Sequence, residues 1–290
     1  MDPVRTAEFE AQRGRLQRLA YRMLGSIGDA EDVVQDAWLR WTRAGDEIAD
    51  PAAWLVRATT RLCLDRLRAV KAERAAYRGP WLPEPLIEPL PEDPLERAED
   101  VSVAFLLALE RLSPLERAVF LLREAFDEDY GAIAEALGRS EPAVRQLAAR
   151  AKAHVREARP RYVVDHAQAE RLAQAFLAAA ATGDASGLSA VLAQDAVMVT
   201  DGGGKRVAAL RVLVGREDIA DFFRRIAWRN GPYGPLVKGV RLASVNGCPG
   251  VVLDLQDGPQ TVALEPDAEG RIAAIYVVRN PEKLGHVSAG

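Results

Sequence analysis

Apolar side chains recur with helical spacing in the first 162 residues and alternate along much of the remainder. From Thr6 to about Tyr77, and again from Val101 to about Tyr162, the spacing predicts α-helices. After Asp165, two further helices (about 166–181 and 184–193) precede β-branched runs that predict strands, with one more helix near 216–227. The predicted strands are AVMVT (196–200), RVAALRVLV (206–214), VKGVRLASV (237–245), GVVLDL (250–255), TVALEP (261–266) and RIAAIYVV (271–278).

This pattern predicts a multidomain protein with two all-α domains followed by an α+β domain. The expected boundaries are 1–78 for the first helical domain, 79–100 for a linker, 101–162 for the second helical domain and 165–290 for the α+β domain. A length of 290 residues with 49% apolar content is consistent with several cores.

Composition excludes several classes of protein. The chain has two cysteines and three histidines, none at the spacing of metal ligands, so a disulfide framework, a zinc site or another cofactor is not expected. The start of the chain lacks the apolar core of a signal peptide, and no window is apolar enough to span a membrane. A cytoplasmic location is therefore predicted.

The stretch RGPWLPEPLIEPLPEDPLERAED starts at Arg78, includes the linker 79–100, and has six prolines from Pro80 to Pro94. Prolines restrict the residues before them to extended conformations and stiffen a connector. One interpretation is an acidic, solubilising linker. The other is a strap whose Trp81 and Leu82 dock in a groove, because a disordered linker has little use for a tryptophan.

The predicted helix over 29–41 has an apolar side and an acidic side. Its acidic side contains a leucine, which is either a stray exposed residue or the anchor of a surface that binds a basic partner. The candidate binding residues are Asp32, Gln35, Asp36 and Leu39.

The next helix, over 54–78, has an excess of positive charge opposed only by Asp65 and Glu73. It is either a solvated helix or a track for nucleic-acid phosphates, whose neutralisation releases counterions. The candidate DNA-binding residues are Arg57, Arg61, Arg66, Arg68, Lys71 and Arg74.

Residues 130–157 have the spacing of a helix-turn-helix, with Ala134 where the helices cross, Gly138 in the turn and Val144 packing the second helix. The alternative is an ordinary pair of antiparallel helices. Arginine and glutamine at an exposed N-terminal turn can contact base edges. The candidate DNA-binding residues are Arg139, Ser140, Arg145, Gln146, Arg150 and Lys152.

Together, residues 6–162 resemble a sigma factor of the extracytoplasmic-function class. The resemblance implies that AYRMLGSIGDAEDVVQDAWLRW binds core RNA polymerase through the acidic face. It also implies that the basic helix opens the minus-10 element of promoter DNA, that the gap Gly45–Pro51 captures a flipped base, and that the helix-turn-helix reads the minus-35 element.

Three short motifs resemble those of a SigJ-type subgroup that carries a SnoaL-like C-terminal extension. They are WLPEP, DGGGK and NPEKL, where Glu282 replaces the aspartate expected in that subgroup. The resemblance implies that the α+β domain regulates the sigma factor in cis through contact with the linker. The implied regulatory residues are Trp81, Leu82, Pro83, Glu84, Pro85, Asp201, Gly202, Gly203, Gly204, Lys205, Asn280, Pro281, Glu282, Lys283 and Leu284.

Other interpretations remain at this point. DGGGK lacks the spacing of a phosphate loop and lies between two predicted strands, so it can be a simple glycine-rich turn. The α+β domain can be a clamp, a sensor that binds a small molecule, or an enzyme, although Asp195 and Asp254 are poor candidates for acid–base catalysis. A helix-turn-helix repressor that does not bind polymerase is a further alternative.

Overall fold

The computed structural model describes residues 3–45, 48–90, 102–156, 165–230 and 237–287. Contacts divide the chain into two compact units, Met1–Ala76 with Ala104–Arg159, and Tyr77–Val103 with Pro160–Gly290. The first unit is helical and the second is α+β with a seven-stranded sheet, which confirms the predicted fold class. Part of the predicted linker (91–100), the boundary at 162 and positions 46–47 of the Gly45–Pro51 gap lie outside the described residues.

Helices of the first unit begin at caps that the sequence supplies. Ser26 accepts a hydrogen bond from the Asp29 amide, and Asp50 accepts one from the Ala53 amide, which satisfies N–H groups that lack partners within the helix. The helices are α1 (Pro3–Leu24), α2 (Ile27–Thr42), α3 (Pro51–Ala69), α4 (Lys71–Ala75), α5 (Val103–Glu110), α6 (Pro114–Glu124), α7 (Tyr130–Leu137) and α8 (Glu141–Arg156).

Helices α7 and α8 have the arrangement that the spacing predicts. Asp129 caps α7 through the Ala132 amide, and Gly138 ends it with φ of 61°, a left-handed conformation that favours glycine. Val144 is fully buried at the start of α8. The local pattern thus specifies both ends of α7 and the inner face of α8.

Among its described residues, the second unit contains one mixed sheet, three α-helices and a short 3-10 helix. Strands lie in the order β1-β4-β5-β6-β7-β2-β3, and all neighbouring pairs are antiparallel except β2 with β7. The elements are β1 (Ile87–Glu88), α9 (His166–Thr182), α10 (Ala185–Val191), β2 (Leu192–Asp201), β3 (Leu213–Val214), α11 (Arg216–Asn230), β4 (Val237–Val245), β5 (Cys248–Leu255), β6 (Gly258–Pro266), β7 (Ile272–Val278) and a 3-10 helix (Pro281–Lys283).

The strand predicted over 206–214 is wrong for most of its length, because only Leu213 and Val214 pair, with β2. Both backbone groups of Ala209 bond to the Thr200 hydroxyl, at 2.7 and 3.1 Å, instead of to a neighbouring strand. This side-chain bonding competes with a sheet ladder. The DGGGK motif therefore lies between two strands, β2 and β3, as predicted, but it leads from β2 into an irregular segment before the short β3 begins.

Candidate functional site

The acidic face of α2 is exposed as the helical pattern predicts. Asp32, Gln35 and Asp36 are exposed, and the Leu39 side chain among them is 41% exposed. The opposite side of α2 is buried through Val33, Val34, Ala37 and Trp41. The helix therefore presents an apolar anchor surrounded by hydrogen-bonding and acidic groups.

The cations of α3 and α4 point in several directions. The Arg66 guanidinium donates to Asp29 of α2 at 2.6 and 2.9 Å, whereas Arg74 donates to Glu110 and to the Leu24 carbonyl, each at 2.7 Å. Arg68 pairs with Asp65 on its own helix, and Lys71 is exposed. The six predicted DNA-binding residues therefore do not form one continuous track in this conformation.

Two of these arginines contact the helix-turn-helix. Arg61 donates from Nε to the carbonyl oxygen of Ala136 at 2.9 Å, and Arg57 forms an ion pair of 3.5 Å with Glu135. Both partners lie in the last turn of α7, where carbonyl groups carry partial negative charge. Arg57 and Arg61, two of the side chains predicted to contact the minus-10 element, are thus paired with the domain predicted to read the minus-35 element.

The outer face of α8 carries the predicted DNA-contacting side chains. Arg139, Ser140 and Gln146 are exposed. The cations of α8 have acidic neighbours within the same helical unit: Arg145 with Glu141 at 2.6 Å, Arg150 with Glu116 at 3.4 Å and Lys152 with Glu124 at 3.1 Å. All three cations remain about half exposed, so they are accessible to a nucleic acid.

The three short motifs meet in the second unit around the carboxylate of Asp201, which is fully buried. One oxygen accepts from the Tyr77 hydroxyl at 2.6 Å and the Gly203 amide at 2.9 Å. The other accepts from the Leu82 amide at 2.9 Å and Lys283 Nζ at 2.7 Å. A buried carboxylate is tolerated when it is paired and fully hydrogen-bonded, and four donors meet that condition.

Lys283 holds the connector, by which we mean residues 77–88, from the other side of the Asp201 carboxylate. Its ammonium also donates to the Leu82 carbonyl oxygen and lies 4.2 Å from the Trp81 ring centroid and 4.9 Å from that of Tyr77. Such cation–π contacts strengthen when the cation is desolvated, and Lys283 is buried. The Leu82 side chain is fully buried. Pro83 and Pro85 are also buried, and Glu84 is half-buried.

The NPEKL motif positions this lysine. Asn280 caps the 3-10 helix by accepting from the Glu282 amide at 3.1 Å, and it donates from Nδ2 to the Tyr77 hydroxyl at 2.8 Å. Leu284 is buried and Pro281 is exposed. At the surface, Lys205 and Glu282 form an ion pair that joins the second and third motifs.

The turn of the DGGGK motif requires glycine at Gly203. Its φ is 60°, and a Cβ built there would lie 2.4 Å from the side chain of Asn280. The Gly203 backbone therefore lies closer to the Asn280 side chain than a residue with a Cβ atom could. Gly202 accepts the backbone bonds that close the turn, and Gly204 follows it.

Three residues outside the predicted set also hold the connector. Tyr77 bonds to Asp201, Asn246 exchanges two hydrogen bonds with the Leu86 backbone at 2.8 and 3.2 Å, and His286 Nε2 lies 2.8 Å from the Pro85 oxygen. Burial raises the pKa of the Tyr77 phenol, and its hydrogen bond to the Asp201 carboxylate raises it further. The sequence marks Asn246 only as a turn residue before Gly247, and it gives no signal for the other two.

The interior between the helices and the sheet is occupied by apolar side chains. Phe176, Leu192, Ile219, Leu264 and Ile275 belong to this core. The enzyme candidates lie elsewhere, since Asp195 is exposed on β2 and Asp254 is half-buried on β5. A surface groove of about 240 Å³ lies beside α11 and is lined in part by Arg211 and Asp218, which pair with each other at 2.8 Å.

Metal sites and membrane spans are both missing from the described residues. Within them, no cluster of three or more His, Cys, Asp or Glu side chains is arranged to hold a metal ion. Among the helices of the described ranges, none has the length and hydropathy needed to cross a bilayer.

Comparison with known proteins identifies the family. The family models for sigma-70 region 2 and sigma-70 region 4 match residues 9–73 and 102–155. The ECF RNA polymerase sigma factor SigJ of Mycobacterium tuberculosis is 38% identical, with 96% of this chain and 92% of that protein covered. The probable ECF RNA polymerase sigma factor SigI of the same species is 39% identical over 66% of this chain and 67% of its own length.

The same relationship holds in three dimensions. The crystal structure of M. tuberculosis SigJ matches with a TM-score of 0.76 at 36% identity, covering 97% of this chain and 98% of that one. The two matched sigma-70 regions therefore define a transcription initiation factor. This chain belongs to the extracytoplasmic-function sigma factors and is similar along almost its whole length to SigJ. It is accordingly an RNA polymerase sigma factor and not an enzyme, and the repressor interpretation is set aside.

Proposed function

We propose that this sigma factor recognises a two-part promoter and that its SnoaL-like domain regulates recognition in cis by holding the connector. In this proposal residues 1–78 bind core polymerase and open the minus-10 element, and residues 101–162 read the minus-35 element. The exposed anchor at Leu39 and the accessible cations of α8 support these assignments.

The observation that carries the regulatory proposal is the buried contact between Lys283, Asp201 and Leu82. The backbone of Leu82 is bonded through both its amide and its carbonyl, and its side chain is fully buried. Residues 87 and 88 then add a strand to β4. The connector lies between the two predicted DNA-binding domains. Holding residues 77–88 in place shortens the free part of the linker and so restricts the distance between these domains.

This contact can be strong and still regulate. A clamp responds to partners only if its held and released states differ by a few kcal/mol, since a partner shifts the equilibrium by its differential affinity for the two states. Burial of Leu82 contributes about 1.5–3 kcal/mol, and the ion pair offsets its own desolvation cost only in part. A net difference of a few kcal/mol is consistent with this balance.

A small-molecule sensor has less support than a clamp. A buried ligand would need an interior cavity with converging polar groups, and the described interior is occupied by apolar side chains. The surface groove beside α11 offers a place for a ligand, but its charged groups Arg211 and Asp218 already pair with each other.

The test compares full-length variants in run-off transcription with core polymerase. Leu82→Ala removes a fully buried connector side chain, whereas Val240→Ala truncates an apolar side chain that is 56% exposed in the same unit. We expect Leu82→Ala to accelerate proteolysis within residues 77–90 and to change transcript yield several-fold, with Val240→Ala leaving both unchanged. A released connector with unchanged transcript yield would show that the clamp has no regulatory role.

A further inference from the structure

Tyr130 occupies a position that the assigned functions leave unexplained. It is the first residue of α7, directly after the cap Asp129. The Arg145 guanidinium carbon lies 4.3 Å from its ring centroid, and that of Arg123 lies 5.1 Å away. A half-buried tyrosine in the first helix of the motif is therefore in contact with a predicted base-reading arginine in the second.

A carboxylate fixes the same guanidinium along one edge. Arg145 donates from Nε at 3.0 Å and from Nη2 at 2.6 Å to one oxygen of Glu141, one helical turn earlier. The Nη1 group takes no part in this pair, and the Arg145 side chain is still 59% exposed. The edge of the guanidinium that carries Nε and Nη2 is therefore held, while Nη1 remains accessible.

We propose that Tyr130 is a positioning residue for Arg145 and thereby sets the base preference of α8. Arginine recognises guanine through a planar, bidentate contact whose direction matters. An arginine that is already stacked and paired loses less side-chain freedom on binding than a mobile one. Glu141 repels phosphates, which disfavours placements in which Arg145 contacts only the DNA backbone.

The inference rests on the proposed function of α8, so the experiment first tests that function. Holoenzyme of the full chain with core polymerase is bound to promoter DNA with a randomised upstream element. Arg145→Ala is expected to abolish the preference at one base pair. If Arg145→Ala changes no preference, the assignment of Arg145 itself is wrong, and the role of Tyr130 falls with it.

The second arm tests Tyr130 at that base pair. We expect Tyr130→Leu to relax the preference about two- to fivefold, the range of an exposed cation–π contact, and Tyr130→Phe to retain it. The Tyr130→Leu/Arg145→Ala double variant should discriminate no worse than Arg145→Ala alone. As a control, Arg123→Ala removes the other guanidinium near the ring and should leave the preference unchanged.

Two results would overturn the proposal while leaving the function of α8 intact. One is full retention of the preference by Tyr130→Leu. The other is an equal loss of affinity for every sequence in both Tyr130→Phe and Tyr130→Leu, because uniform loss is the signature of a phosphate contact by the hydroxyl. Thermal unfolding of each variant separates loss of fold from loss of discrimination.

Discussion

Lys283 shows how one side chain can control a segment far away in the chain. Replacing it by methionine keeps much of the apolar stem but removes the charge beside buried Asp201. Breaking a buried pair leaves an uncompensated charge and costs about 3–5 kcal/mol, so we expect Lys283→Met to release the connector. The release is measured by the rate of proteolysis within residues 77–90 and by the Trp81 contribution to the fluorescence, taken as the difference from a Trp81→Phe variant because the chain has five tryptophans.

A matched control is available in the second motif. Lys205 pairs with Glu282 at the surface, where both side chains are at least half exposed, and such pairs contribute about 0–1 kcal/mol. Lys205→Met should therefore leave the connector in place. Equal effects of the two substitutions would show that the buried contact of Lys283 does not hold the connector.

Tyr77 gives the connector a dependence on alkaline pH. Because the pKa of its phenol is raised in the folded state, its contribution to stability is fully present below the ordinary tyrosine pKa of about 10 and declines above it. We expect the Trp81 contribution to the fluorescence, taken as the difference from a Trp81→Phe variant, to be constant between about pH 6 and 9 and to change above about pH 10. Lysines titrate in the same range, so the measurement is the difference between the wild type and Tyr77→Phe. A difference that does not vary with pH would contradict this prediction.

Local sequence determines much of this site, but not its pairings. The resemblance of the three motifs predicts that they act together, and Asp201, Lys283 and Leu82 do meet in the structure. Which cation contacts which carboxylate depends on contacts between residues 82 positions apart. Tyr77 escapes prediction because a lone tyrosine at the end of a basic helix has no distinguishing local pattern.

At the scale of elements, the helices are more predictable than the strands. The Ser113–Glu116 capping box fixes the start of α6 within four residues of sequence. By contrast, the alternation around Val207 and Val212 resembles a strand, yet the Thr200 hydroxyl, nine residues earlier, bonds the backbone of Ala209. Strand β1 is also absent from the predicted elements, since two residues form a strand only where β4 offers an edge.

The turn between α7 and α8 provides a test of local backbone control. Gly138 has φ of 61° and open space around a built Cβ, so Gly138→Ala carries only the cost of the left-handed conformation, about 1–2 kcal/mol. Gly28 also faces open space but lies in α2 with an ordinary φ, so Gly28→Ala should be neutral or stabilising by up to about 1 kcal/mol. Thermal unfolding measures both, and destabilisation of equal size would show that the left-handed turn carries no special cost.

At the scale of the whole helical unit, Arg57 and Arg61 have one contact in the structure and another role in the proposed function. In this conformation Arg57 and Arg61 contact the last turn of α7, and in the proposed function they contact the minus-10 element. An arginine cannot do both at once, so in the proposed function promoter binding competes with the intramolecular contact. The contact is weak enough to be displaced, since Arg57 and Glu135 are both partly exposed and such pairs contribute little.

This competition predicts the effect of reversing a charge in α7. Glu135→Arg replaces the ion pair by repulsion with Arg57, and we expect it to raise the affinity for single-stranded minus-10 DNA about two- to fivefold at low salt. The gain should diminish as salt screens the charges. Glu217→Arg makes the same change in net charge at an exposed site on α11 and controls for non-specific attraction. Fluorescence anisotropy with the full chain measures both variants. If Glu217→Arg raises the affinity as much as Glu135→Arg, added positive charge accounts for the gain and the contact between α3 and α7 does not restrict access to DNA.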